Sequence, residues 1–185
     1  MKTTFFVILA LVATNLFAQT SVIVDMYNYS KFEGSYRPMM VTLGSHKLSD
    51  KTTLEWYTHI SPDFSAFTIG FGHKLAKNWI GVGMIGVENN PKLAYGKATL
   101  LHPTENLFFM VGAEYGVSGW WAMSMAHMPV QKDSPIRVGY FARRFEGVGP
   151  YGEVAKGKVH FWIAPILYNP ETKGFGTEFG LRLHL

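Results

Sequence analysis

Ionisable residues recur at alternate positions within otherwise apolar or small-residue stretches. They are Glu55 and His59, Glu114, Arg137 and Arg143, Glu153, Lys158 and His160, then Glu178, Arg182 and His184. Mixed charges along one face can line a polar passage and give it a weak preference for polar or anionic solutes. In a confined interior the same residues can instead pair across the space and fill it, because charge held away from water needs a partner. His59 and Ser61 also set a base two residues from a hydroxyl nucleophile. The histidines, at 46, 59, 73, 102, 127, 160 and 184, show no metal-ligand spacing within a segment, so no metal is expected. Gly70-Phe71-Gly72, Gly81-Val82-Gly83 and Gly174-Phe175-Gly176 open no helix and read as strand glycines, not phosphate loops. No cofactor is expected.

His59-Ile60-Ser61 resembles the His-x-Ser of lipid A deacylases, membrane enzymes in which that pair works with a distant Glu. The family motif continues with Asn, where this chain has Pro62. Alternation also puts His59 beside Glu55 and Tyr57 on the face opposite to Leu54, Trp56, Thr58 and Ile60, whereas that family works on the lipid side. A histidine next to a Ser-Pro-Asp turn explains the pair without catalysis, and no enzymatic activity is expected.

These residues must be positioned by strands. Leu107, Phe109, Val111, Ala113, Tyr115 and Val117 alternate with Phe108, Met110, Gly112, Glu114, Gly116 and Ser118. Val159 to Leu167 and Ile136 to Ala142 repeat the two-residue period. Clusters of turn-forming residues fall between the runs, at Glu33-Gly34-Ser35, Ser49-Asp50, Ser61-Pro62-Asp63, Lys77-Asn78, Asn89-Asn90-Pro91 and His102-Pro103-Thr104. They continue at Ser118-Gly119, Lys132-Asp133-Ser134, Gly147 to Pro150, Gly157 and Asn169-Pro170-Glu171. The spacing predicts an all-β, antiparallel up-and-down barrel of about twelve strands, with ten possible, and short turns at both ends. Strands of that length suit the ~9–11 residues a tilted strand needs to cross a bilayer. Between Met84 and Ile85 the period changes phase, which predicts a bulge there. From Leu93 to Leu101 the pattern does not say which face is apolar.

Composition supports a barrel in a membrane. Aromatic residues make up 15% of the chain and charged residues only 16%, with 19 glycines and no cysteine. The face opposite the apolar stripe is small rather than charged, at Gly112, Gly116, Gly139, Ala122, Ser124 and Ala126, which suits a crowded lumen better than a solvated exterior. Trp56, Trp79, Trp121, Tyr140 and Phe145 are placed to form interfacial girdles. A formal net charge of +4, spread without a basic block, gives no support to nucleic-acid binding. Residues 1–18 read as a cleaved export signal, with Lys2, the apolar run from Phe5 to Val12 and a small residue at Ala18. Residues 19–185 then form a single barrel domain.

The closing octet, Glu178 to Leu185, sets Phe179, Leu181, Leu183 and Leu185 against Glu178, Gly180, Arg182 and His184. In a closed barrel this last strand pairs with the first. The octet resembles the β-signal of bacterial outer-membrane barrels, with its polar position at Glu178, its glycine at Gly180 and its hydrophobic positions at Leu183 and Leu185. It departs from the usual bacterial pattern in ending on Leu rather than Phe or Trp. The resemblance implies a Gram-negative outer-membrane location, a lipid surround and recognition by the barrel-assembly machinery. The function expected is a small passive channel for small polar or anionic solutes. A closed-lumen structural or partner-docking barrel is the alternative, and a lipid-modifying enzyme a further one.

Overall fold

The computed structural model describes residues 20–31, 36–89, 94–144, 146–168 and 174–185. The expected export signal, Phe145, and the turn residues Glu33 to Ser35, Asn90-Pro91 and Asn169 to Glu171 lie outside them. Twelve strands follow one another: β1 (Thr20–Lys31), β2 (Tyr36–Lys47), β3 (Thr52–Ile60), β4 (Ser65–Ala76), β5 (Trp79–Glu88), β6 (Tyr95–Pro103), β7 (Phe108–Gly116), β8 (Gly119–Pro129), β9 (Ile136–Arg143), β10 (Gly147–Lys156), β11 (Val159–Ile166) and β12 (Gly176–His184). Each pairs antiparallel with its sequence neighbours, and β12 pairs with β1, which closes the barrel. Closure satisfies every strand edge within the sheet, the condition for burying one face and immersing the other in an apolar medium.

The Leu183-to-Leu185 end of the octet therefore has partners on both sides. Leu183 lies opposite Val24 and Val159, and the Leu185 amide donates to the Val22 carbonyl at 2.8 Å. Alternation decides what faces where. Val111, Tyr115, Val138, Phe161, Ile163 and Phe179 are exposed on the outer surface, whereas Glu114, Phe141, His160, Trp162 and Glu178 point inward and are buried. Outside, Trp56 lies over Gly44, whose missing side chain makes room for the indole: a Cβ there would meet the ring at 1.8 Å.

Three local expectations are corrected. First, β8 turns the other way. Its inward set is Trp121, Met123, Met125 and His127, so Ala122, Ser124 and Ala126 lie on the outer face, where Ser124 Oγ and Tyr140 OH are 2.7 Å apart. Both faces of this strand are apolar or small, so polarity contrast could not orient it. Trp121 is thus an interior residue, and Trp120 takes the outer position, with the Arg144 guanidinium 3.5 Å from its ring centroid. Second, β5 runs in unbroken register from Ile80 to Glu88. The irregularity lies in its neighbour β4, between Lys74 and Ala76. The change of phase at Met84 arises because Met84 is an apolar residue facing inward. Third, Gly147 to Pro150 is not the turn but the start of β10. Glycine is needed there for close approach: a Cβ on Gly149 would stand 1.7 Å from the Pro165 carbonyl oxygen.

Candidate functional site

The barrel encloses a cavity of about 400 Å³. Its lining runs from Thr104 and Glu105, in the connection between β6 and β7, to Glu146, in the connection between β9 and β10. These two connections lie at opposite ends of the barrel. The first end, called here the terminal rim, also holds Thr20, Leu185 and the β2–β3, β4–β5, β8–β9 and β10–β11 turns.

Two walls face this cavity. One runs through β9, β10, β11, β12 and β1 and carries a fixed network of ion pairs. Arg182 donates from Nε and Nη2 to Asp25 Oδ2 at 2.9 and 2.7 Å and from Nη1 to Glu153 Oε2 at 3.3 Å. Trp162 Nε1 donates to the other Asp25 oxygen at 2.8 Å. Glu153 also accepts from Tyr151 OH at 2.6 Å and Arg137 Nη1 at 3.2 Å, and its Oε1 lies 3.0 Å from His160 Nδ1. Farther from the terminal rim, Arg143 Nη1 donates to Glu146 at 2.7 Å, Glu178 at 3.1 Å and Tyr27 OH at 3.2 Å. The same guanidinium lies 4.8 to 5.3 Å from the ring centroids of Phe141, Tyr27 and Trp121. Each of these arginines has a carboxylate, and Arg143 has aromatic faces as well, which offsets the cost of holding charge away from water.

Glycines let the aromatic rings of this wall meet. His127 and Tyr151 are each paired with Gly139 across adjoining strands, and their rings stack over it with centroids 5.4 Å apart. Gly180 does the same between Trp162 and Tyr27, whose centroids are 5.6 Å apart. A Cβ on Gly180 would stand 2.7 Å from Tyr27 Cβ and 2.8 Å from Trp162 Cε2. The glycine of the closing octet thus has a packing reason of its own.

The opposite wall, β5 to β8, is mostly apolar: Val82 and Met84, Leu101, Phe108 and Met110, and Met123 and Met125 line the cavity. One ion pair interrupts it, Lys97 Nζ to Glu114 Oε1 at 2.5 Å, with Tyr95 OH also donating to Glu114 and the ammonium 3.5 Å from the Tyr57 ring centroid. Gly112 lies between Thr99 and Met123, which are paired to it from either side. A Cβ there would stand 3.1 Å from Thr99 Oγ1 and 3.4 Å from the Ala98 carbonyl oxygen, a tight fit, and Gly112 itself lies on the cavity lining.

The side chains expected in the lumen are distributed as follows. Glu55, His59, Glu114, Arg137, Arg143, His160, Arg182 and His184 line the cavity, and Glu153 and Glu178 are buried beneath its lining as partners of those arginines. Lys158 does not lie in the wall. It is exposed in the Gly157-Lys158 turn, because the tight turn at Gly157, with φ of +61°, ends β10 just before it. Sequence reasoning missed Asp25, Lys97 and Glu146. Asp25 stands alone between Val24 and Met26 in an alternating run, a signal that identifies a lumen carboxylate. Lys97 is flanked by Gly96 and Ala98, a context with no polarity contrast to read.

His59 and Ser61 are engaged separately. His59 Nδ1 lies 3.3 Å from Tyr57 OH, while Ser61 Oγ donates to the Phe64 carbonyl at 3.1 Å within the β3–β4 turn.

No protein-family model matches the chain, and no curated protein matches it. Among solved structures it is similar in fold to the NanC porin, with 8% sequence identity and a TM-score of 0.53 over 86% of this chain and 97% of that one. The likeness is one of architecture: a closed, porin-like β-barrel.

Proposed function

We propose that the protein is a Gram-negative outer-membrane channel that passes small polar or anionic solutes passively along its lumen. The observation that carries this reading is a closed barrel, apolar outside, whose lumen holds a cavity lined from one end to the other. Twelve strands enclose more space than the eight-strand barrels that side chains fill, and less than the large porins. The similarity to a porin fold supports the same reading.

The anionic preference rests on the terminal rim more than on the lumen. Lys47, Lys51, Lys74, Lys77, Lys132, Lys156 and Lys158 are all exposed around it, against Asp50, Glu105 and Asp133. Such a rim raises the local concentration of anions and steers them inward. The lumen arginines cannot do this alone, because each is already paired with a carboxylate. Glu178, Gly180, Leu183 and Leu185 serve in this reading as the strand recognised by the barrel-assembly machinery. Outer-membrane lipids are the surrounding partner.

Single-channel recording from the mature protein in planar bilayers tests the channel, after heat-modifiable migration has shown it folded. Discrete conductance steps in potassium chloride are expected. A folded protein that never opens would overturn the reading in favour of a closed structural barrel.

A further inference from the structure

From the two facing walls, we infer that the lumen binds a small carboxylate with an apolar body. The body lies on the methionine wall and the carboxylate meets Arg137. This deepens the channel reading and rests on it for the ligand's route of entry. A purely hydrophilic passage would present polar groups around its circumference. Here Met84, Met110, Met123 and Met125 turn inward from β5, β7 and β8, and Gly112, which has no side chain, lies beside Met123 on the same lining. Thioether side chains are unbranched and polarisable, so they adapt to an apolar ligand of varied shape. A cavity of about 400 Å³ that is mostly apolar, with a few convergent polar groups, has the dimensions of a small-molecule site.

The polar end is set by Arg137. Its side chain is 37% exposed and, among the described residues, gives only Nη1 to Glu153, whereas Arg143 and Arg182 each serve two carboxylates. Its remaining guanidinium donors are available to a carboxylate, the anion whose geometry they match. His184, on the same lining, has a buried Nε2 with no hydrogen-bond partner among the described residues and offers a further polar contact. The lysines of the rim lie on the approach to this group.

The test is isothermal titration of the protein in phosphatidylcholine nanodiscs with 3-phenylpropionate, and with acetate as the same head without the body. Saturable 1:1 binding of 3-phenylpropionate is expected, with acetate at least about tenfold weaker for loss of the buried apolar area. Arg137→Ala should weaken binding about five- to tenfold, since it removes a charge-assisted contact, and Glu153 keeps Arg182, Tyr151 and His160. Gly112→Trp should abolish binding by filling the cavity beside Met123. Met123→Gln, which keeps the length of the side chain, should weaken it severalfold and carries the test if the tryptophan variant does not fold. Equal heats from empty nanodiscs, or acetate binding as tightly as 3-phenylpropionate, would overturn the inference. So would unchanged binding in Met123→Gln. Conductance in potassium chloride separates the two claims. Steps without binding leave the channel and remove the site; binding without steps leaves the site and removes the channel.

Discussion

The wall from β9 through β12 to β1 and the wall from β5 to β8 enclose the same cavity by different physics. The first is held by directional bonds. Glu153 alone has four partners, and Arg143 joins two carboxylates from different parts of the chain, Glu146 and Glu178. The second is held by packing of flexible methionines, with Lys97–Glu114 as its ion pair. Charge in a lumen need not be charge offered to a solute. Apart from Arg137, the arginines of the ionic wall are committed to the barrel's own stability, and in the proposed reading the methionine wall is where a solute is accommodated.

The largest effect should follow removal of the hub of the ionic wall. Glu153→Ala should destabilise the fold by about 3–5 kcal/mol, because it strips a carboxylate from buried cations and a tyrosine. The folded-to-unfolded transition on heating reads this directly. Gly180→Ala comes next, at about 1–3 kcal/mol, since its Cβ must displace the Tyr27 and Trp162 side chains that meet over the glycine. Met123→Ala on the other wall should cost less than either, because a position on an open cavity leaves no dry void. Its signature is instead a higher single-channel conductance. If Met123→Ala proved as damaging to stability as Glu153→Ala, the two walls would not differ in kind.

Strand alternation carried most of this arrangement in the sequence. Glu114 among glycines in β7, and Arg137 and Arg143 opposite Val138 and Tyr140 in β9, are readable because one face is apolar and the other is not. The reading fails where that contrast disappears. Trp121, Met123 and Met125 face inward although they are the greasier set of β8, because the lumen here is packed and not simply wet. Gly147 and Gly149 carry turn chemistry yet begin a strand, because β10 and β11 approach too closely there for a side chain. Lys158 falls in phase with the lumen residues, but the strand ends before it. Mixed charge on one face made pairing foreseeable, but which residues pair was not legible. Asp25 and Arg182 are brought together by barrel closure, and sequence distance gives no hint of it.

If solutes pass along the methionine wall, as proposed, Gly112 on its lining is the place to obstruct them. The measurement is the single-channel conductance of Gly112→Trp, in protein whose heat-modifiable migration matches the parent. The indole should occupy lumen space beside Met123, so conductance should fall by at least about half, as narrowing a pore does. Undiminished conductance through the folded variant would mean that the path lies elsewhere, and would contradict the assignment of the two walls.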